Sequence, residues 1–433
     1  MKKLVFVLLA SVILLTACSS GGTKGSLTSS GDGGTSNPKE ITVWAWDPAF
    51  NIAAMGVAKE AYSQVHSDVL INIVENAQAD IVQKLNTVLN SGSTKGLPNI
   101  VLIEDYRAQS FLQAYPDSFY ELTDAVKVEN FADYKIDPTS VDGKQYGVPF
   151  DSGVTGMYVR TDYLEQAGYS LADMEEIDWK QYIEIGKAVK EKTGKSMLTL
   201  DPNDLGLIRM MMQSAGQWYT AADGKTPFIA DNAALKEAIE LYKEMLDSGI
   251  VKVISDWSQF VGAFNHGEVA SVPTGNWITP SIKAEASQSQ KWAVAPLPKL
   301  AVAKGSVHAS SLGGSSWYVM NVEGKEAAAE FLGKTFASDA ELYQSLNTKI
   351  GVIGTLKAAA SGEAYSAADE YFQGQKIVSD FATWTAKIPT VNYGMNTYAI
   401  EDIIVVALQA YFGGKDVDTV LKDAQMQADT QIR

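Results

Sequence analysis

Ile41-Thr42-Val43-Trp44-Ala45-Trp46 alternates its side chains and is rich in strand formers, and Asp47-Pro48 ends it. Ile52, Met55, Tyr62 and Val65 follow at helical spacing. Val69–Val74 reads as the next strand. Ile81, Leu85, Val88 and Leu89 mark a second helix, closed by Gly92, and Asn99–Glu104 a third strand. Strand and helix in alternation predict a parallel α/β sheet, whose ligands sit at the carboxyl ends of the strands. Trp46-Asp47, Glu75 and Glu104-Asp105-Tyr106 fall at those ends.

Past Tyr146-Gly147-Val148-Pro149-Phe150 a new unit is expected. Met157–Thr161 reads as a strand and Asp162–Ala167 as a short helix. Asp178 with Gln181 fits a capping box opening a helix that runs to Gly194. Asp231 is expected to cap another helix, with Leu235, Ile239, Tyr242 and Leu246 on one face. Phe260, Val261 and Phe264 mark one more helix. Val269–Val272, Trp292–Pro298 and Ser316–Met320 read as strands. The remainder is predicted helical over Lys325–Phe336, Tyr398–Phe412 and Asp416–Gln431. No tandem repeat of fixed period is present.

The chain has 433 residues, which at roughly 100–200 per domain predicts two or three domains. Apolar residues are 46% and charged residues 20%, which excludes a mainly disordered chain. The net charge of −16 offers no basic face for nucleic acid. The four arginines, Arg107, Arg160, Arg209 and Arg433, argue against a phosphate-gripping site. One cysteine and three histidines exclude an internal disulfide and a Cys-rich zinc site. No Walker, GxGxxG, GxSxG or HExxH pattern occurs. Asp201-Pro202-Asn203-Asp204-Leu205-Gly206 matches a calcium loop at its first, third and sixth positions, but Leu205 and Met212 offer no side-chain oxygen, so it is rejected. Neither a metal nor another cofactor is expected.

The amino end carries an address. Lys2 and Lys3 precede an apolar run, Leu4–Leu15, too short for a bilayer that needs about 20 residues. Residues 1–17 therefore read as a secretory signal peptide. Leu15-Thr16-Ala17-Cys18 resembles the lipobox of bacterial lipoproteins, which implies cleavage before Cys18 and a lipid on its sulfur; an ordinary signal with an incidental cysteine is the alternative. Residues 18–39, Gly/Ser/Thr-rich, are expected to tether a body of charge 33 − 51 = −18 to the outer face of the cell membrane.

Four segments together resemble the extracellular solute-binding proteins of ABC sugar importers, of maltodextrin- and oligosaccharide-binding type. They are Ile41–Asp47 after the tether, and Tyr146–Asp151 leading to Met157–Arg160. The third is Ala263-Phe264-Asn265-His266-Gly267-Glu268-Val269-Ala270 with Gly275-Asn276-Trp277. The fourth is Ala295-Pro296-Leu297-Pro298, then Gly313–Ser316 and Lys422–Gln425. Val272-Pro273 departs from the family, which more often has an apolar run without proline. The resemblance implies an α/β, two-lobed periplasmic-binding-protein-like fold (type II), with three hinge crossovers and ligand in the cleft. Lobe one is expected over 40–150 and 277–312, and lobe two over 151–276 and 313–433.

A neutral sugar wants aromatic platforms and Asp, Glu or Asn partners. The expected ligand contacts are Trp46, Asp47, Glu75, Asp105, Tyr106, Asp151, Trp218, Trp257, Asn276, Trp277, Gly314, Trp384 and Tyr393. Trp277 leads them, as the counterpart of the family's cleft tryptophan. Asp47 could instead cap the helix after it, Asp151 could serve the hinge, and Trp218 with Tyr219 could be core. Trp44, Trp179, Trp292 and Trp317 read as core. The expected function is capture of a carbohydrate, favouring an oligosaccharide, by lobe closure and its delivery to membrane permease subunits, as a monomer, without catalysis. A polyamine as cargo, because aromatics and carboxylates also suit a cation, and a surface glycan-active enzyme remain open alternatives.

Overall fold

The computed structural model describes residues 39–432; the expected signal peptide, Cys18 and nearly all of the tether lie outside them. Of the twelve strands among the described residues, ten position the site. They are β1 (Lys39–Ala45), β2 (Val69–Glu75), β3 (Ile100–Glu104), β4 (Gly147–Pro149), β5 (Thr155–Arg160), β6 (Leu198–Leu200), β7 (Val251–Val253), β8 (Ser271–Gly275), β9 (Trp292–Ala295) and β10 (Ser315–Val319). The longer helices are α1 (Ala53–Ser63), α2 (Gln78–Asn90), α3 (Asp105–Ala114), α4 (Trp179–Thr193), α5 (Gly206–Ser214), α6 (Ala233–Asp247), α7 (Trp257–Asn265), α8 (Lys325–Lys334), α9 (Ala340–Ile350), α10 (Ile377–Thr385), α11 (Thr397–Phe412) and α12 (Val417–Gln431).

The first sheet has the order β2-β1-β3-β10-β4. β1 runs parallel to β2 and β3, and β10 runs antiparallel to β3 and β4. Ile41, Val43 and Ala45 point into one core with Met55 and Ala58 of α1, while Val101 and Ile103 point to the other face with Leu85 of α2. The second sheet, β8-β5-β9, is antiparallel throughout. Met157 and Val159 of β5 face a core built from α4, α5, α6, α11 and α12. Tyr158, between them, packs against Phe372 and against Phe381 of α10. Pro273 sits in β8 at an edge of this sheet, where a missing N–H is tolerated.

Local signals in the sequence act as expected. The Asp178 carboxylate accepts from Gln181 N at 2.9 Å, the Gln181 amide oxygen accepts from Asp178 N at 3.0 Å, and Gly194 closes α4 at φ 71°. Two details differ. The cap of α6 is Asn232 rather than Asp231, with its side chain accepting from Leu235 N at 2.9 Å. Val65 lies past the end of α1 and is 79% exposed.

The assignment of the later segments to the lobes is corrected by strand pairing. Gly275-Asn276-Trp277 touches the hinge, Asn276 N donating to Val154 O at 2.8 Å, but the chain does not cross there. It returns as β9 beside β5, so 292–295 belongs to lobe two. The crossing comes at Ser311–Ser315, and β10 then enters the first sheet, so 315–319 belongs to lobe one. α9 packs on α1 and stays with lobe one; α11 and α12 return to lobe two. Two crossings lie side by side: Thr155 N donates to Ser310 O at 3.0 Å, Leu312 N to Gly153 O at 2.8 Å and Phe150 N to Ser315 O at 3.2 Å. Residues 353–355 flank them, with Ser152 N donating to Ile353 O at 2.9 Å. The third passage falls between Ser361 and Gln375, whose side chain bonds Val294 of β9.

Candidate functional site

A cavity of about 450 Å³ opens at the carboxyl end of β3, between the lobes. Lobe one supplies Gln78 and Glu104, the hinge supplies Leu312 and Gly313, and lobe two supplies Asp201, Asp204, Arg209, Trp257, Trp277 and Tyr398. The volume lies in the lower part of the roughly 300–1,000 Å³ that small-molecule clefts span.

Two tryptophans form one wall. Trp257 opens α7, whose N-cap Asp256 accepts from Gln259 N at 2.8 Å. The residue is 56% exposed, and such a tryptophan on a concave surface is informative where a buried one is not. Trp277 stands 5.9 Å from it, centroid to centroid, with 37° between the planes. The Trp277 indole N–H donates to Leu312 O at 2.9 Å, which ties the ring to the hinge.

Charged groups form the other walls. Arg209 is almost fully buried within the apolar run Leu207–Met212. Its Nη1 bonds both oxygens of Glu401, at 3.1 and 2.8 Å, and its Nη2 bonds Asp204 Oδ1 at 3.0 Å. Asp204 Oδ1 also accepts from Gly206 N at 2.8 Å, the turn chemistry that opens α5. Glu104 accepts a hydrogen bond from the Tyr398 hydroxyl. The Arg107 guanidinium lies 3.6 Å from the centroid of the Tyr398 ring, and its Nε is 3.6 Å from Glu104 Oε2. Burial raises the Glu104 carboxyl above its ordinary range, against the pull of Arg209, the Tyr398 hydroxyl and Arg107.

Of the residues expected from sequence, Trp257 and Trp277 border the cavity, and Gly314 follows its border residue Gly313. Gly314 holds φ 77°, and a Cβ there would meet Asp105 Oδ2 at 3.0 Å. The others are placed elsewhere. Tyr106, Trp218 and Tyr393 are packed into one buried aromatic cluster, with centroids 4.7–5.3 Å apart. Their polar atoms are used internally: Tyr106 donates to Ser311 O at 3.0 Å, Trp218 to Thr397 Oγ1 at 2.9 Å, and Tyr393 accepts from Gln213. Asn276 is buried beside the hinge. Trp46 is half-buried against the lobe-one cores, and Asp47 turns its carboxylate to Ala49 N at 3.1 Å, the capping alternative. Glu75 is exposed and Trp384 packs edge-on against Phe381; neither borders the cavity. Trp179, Trp292 and Trp317 are fully buried, as expected, whereas Trp44 is only half-buried.

Asp105 and Asp151 lie beneath the cleft around Lys135, which is 0% exposed. Lys135 bonds the Asp105 carboxylate, Asp151 O at 2.9 Å and Ser315 O at 3.1 Å. Ser315 Oγ donates to Asp151 Oδ2 at 2.7 Å, while Asp151 Oδ1 has no partner. Burial pushes the Asp151 carboxyl up to about 6, offset in part by Lys135. The folded protein therefore holds this proton more tightly than the unfolded chain does. Stability should fall as pH rises from about 4 to about 6, by up to ~3 kcal/mol from this group, and the loss persists above that window. Asp151→Asn is expected to flatten this part of the profile. Urea midpoints between pH 4 and 7 would read it, and a slope identical to wild type would dismiss Asp151 as its source.

Glu104, Asp201, Asp204, Arg209 and Tyr398 also border the cavity, although none is among the expected ligand contacts. A signal existed for Arg209, since an arginine inside Leu-Ile-Arg-Met-Met-Met must be paired. In the sequence Asp201 stands out only as the first position of the rejected calcium loop, and Asp204 falls at its fourth, which is not a ligand position. Among the described residues, no group of three or more His, Cys, Asp or Glu is placed to hold a metal ion, and no helix is long and apolar enough to cross a membrane.

Known proteins share this architecture. A family model described as bacterial extracellular solute-binding protein matches residues 58–373. A lactose-binding protein of Rhizobium radiobacter is 48% identical over 395 residues, 91% of this chain and 93% of that protein. An arabinooligosaccharide-binding protein of Bacillus subtilis is 26% identical over 357 residues, 79% of this chain and 77% of that one. Among solved structures, the GacH receptor of Streptomyces glaucescens, studied unliganded and with acarbose, superposes with a TM-score of 0.75 at 18% identity, covering 91% of this chain and 98% of that one. A binding protein of B. animalis subsp. lactis in complex with beta-1,6-galactobiose gives 0.72 at 21% identity, covering 90% and 97%. The type II two-lobed α/β fold is thus shared well beyond close relatives. With the family model covering most of the body and a relative near one-half identical along nearly its whole length, the chain belongs to the bacterial extracellular solute-binding proteins.

Proposed function

We propose that this protein captures a neutral disaccharide, lactose or a close galactoside, between its lobes and hands it to the permease of an ABC importer. The observation that carries the carbohydrate class is the Trp257–Trp277 wall facing the carboxylates of Glu104 and Asp204 across about 450 Å³. Apolar sugar faces suit the rings, and sugar hydroxyls suit the carboxylates. The Rhizobium radiobacter relative points to lactose within that class. Arg209 on the cleft wall, with Arg107 close by, favours a neutral ligand over a polyamine. Capture needs no bond made or broken: closure follows if ligand binds the closed form better than the open one. The proposal includes a monomer held at the outer face of the cell membrane by a lipid on Cys18.

Isothermal titration of residues 40–433 with lactose, galactose, maltose and spermidine tests the ligand. Lactose is expected to bind, with a melting-temperature rise that reflects about 2.7 kcal/mol at 100 times its Kd. Binding of spermidine but of no sugar would replace the sugar by a cation.

A further inference from the structure

We propose that the exposed face of α2 is a glycan-extension site, holding neutral sugar units of a galactoside longer than a disaccharide. The inference rests on the galactoside reading of the cleft and deepens it, because it names the chain length that the protein selects.

A second cavity, of about 500 Å³, runs along α2 on the outside of lobe one. It meets the cleft at Gln78, the first residue of α2, which borders both. Arg107 of α3 marks the same junction. Its guanidinium covers the ring of Tyr398, a cleft residue, and itself borders the second cavity. A ligand that fills the cleft and continues past Gln78 therefore has this groove as its next surface. The groove is about as large as the cleft cavity, so beside a disaccharide in the cleft it has room for a further one or two units.

The helical repeat decides what lines it. Ile81, Leu85 and Leu89 turn to the lobe-one core. Gln83, Asn86, Thr87 and Asn90, three and four residues apart, share the opposite, exposed face. Thirteen residues of helix make this face about 20 Å long. No carboxylate lines it, in a chain with 51 acidic residues. Asp80 stays outside the lining, and Lys84 turns away to Asn76 Oδ1 and the Trp44 ring. Thr87 Oγ1 donates to Gln83 O at 2.7 Å, which leaves the Gln83 amide free; the amides of Gln78 and Asn86 have no partner either among the described residues. A side-chain amide both donates and accepts, as a sugar hydroxyl does, so a row of them suits neutral sugar units rather than a cation. The aromatic platforms stay in the cleft and none lines the groove. The groove thus adds affinity to a chain already held by the cleft and does not bind sugar alone.

Titration calorimetry tests this by comparing lactose with lactose lengthened by one or two neutral sugar units at either end. Wild type is expected to bind at least one lengthened series about tenfold more tightly than lactose, the scale of one or two further hydrogen bonds. The double change Gln83→Ala with Asn86→Ala should remove most of that gain and leave lactose binding within about twofold of wild type. Both side chains are exposed, so their removal spares the fold. Equal affinity for lactose and every longer chain would overturn the site. So would a double variant that keeps the full gain, or one that weakens lactose as much as the longer ligands. The side-chain amide resonances of Gln83 and Asn86 give a second reading on wild-type protein. They should shift on adding the longer ligand and not on adding lactose, and an unchanged spectrum with both would count against the site. If no galactoside of any length binds, the cleft reading itself has failed, an outcome distinct from lactose binding without a preference for length.

Discussion

Lys135→Met is expected to destabilise the protein by about 3–5 kcal/mol, the usual result of removing one partner from a buried ion pair. Methionine fills much the same volume, so the loss is electrostatic rather than a cavity. Lys135 is wholly inside the protein and holds three groups that come together only in the folded state: the Asp105 carboxylate, Asp151 O and Ser315 O. Without the ammonium, Asp105 keeps one side-chain partner, Ser316 Oγ at 2.8 Å, and two hinge carbonyls lose a donor. Burial already raises the Asp105 carboxyl above its ordinary range, and protonating it would relieve part of the cost, so the deficit should shrink as the pH falls. Pairing Lys135→Met with Asp105→Asn should recover more than half of the loss, since both charges are then gone. Urea unfolding at pH 7 measures all of this. A Lys135→Met cost under about 1 kcal/mol would mean that the cluster does not hold the hinge.

That cluster marks where sequence reading reached its limit. Asp105 and Asp151 were legible as candidates because one ends a strand and the other begins the second unit. Nothing local says that a lysine thirty residues from Asp105 is buried between them. Local signals fared better: the Asp178–Gln181 box and the alternation of Ile41–Ala45 needed only near neighbours to act. The crossovers failed for the opposite reason. Gly275-Asn276-Trp277 carries a family-like pattern, but which sheet receives Trp292–Ala295 is set by its register with Thr155–Arg160, more than 130 residues earlier. The aromatic expectations divided in the same way. Trp218 and Tyr393 lie in loops by pattern, yet they close on Tyr106 across the fold. Trp257 stays exposed because its cap, Asp256, fixes the start of α7 at the cleft. Glu104 shares its strand end with Asp105 and Tyr106, which are buried in the interior and leave Glu104 at the cavity.

Trp257→Ala should therefore be the cleaner test of the cleft than Trp277→Ala. Trp257 is 56% exposed and has no side-chain hydrogen bond among the described residues, so its loss should change stability by no more than about 0.5 kcal/mol. Ligand binding would cover that exposed face, and removing an aromatic platform of this size should weaken lactose binding by about 2 kcal/mol, roughly thirtyfold. Trp277→Ala should weaken binding at least about tenfold, but it also deletes the bond to Leu312 O and the packing beside the hinge, so it mixes affinity with stability. Trp257→Phe separates area from position: it keeps an apolar face and should recover most of the affinity. Titration calorimetry with thermal melts on each variant reads both quantities. If Trp257→Ala is folded and binds lactose as wild type does, the exposed ring is not a sugar platform, and Trp277 with the Glu104–Asp204 carboxylates must carry recognition alone.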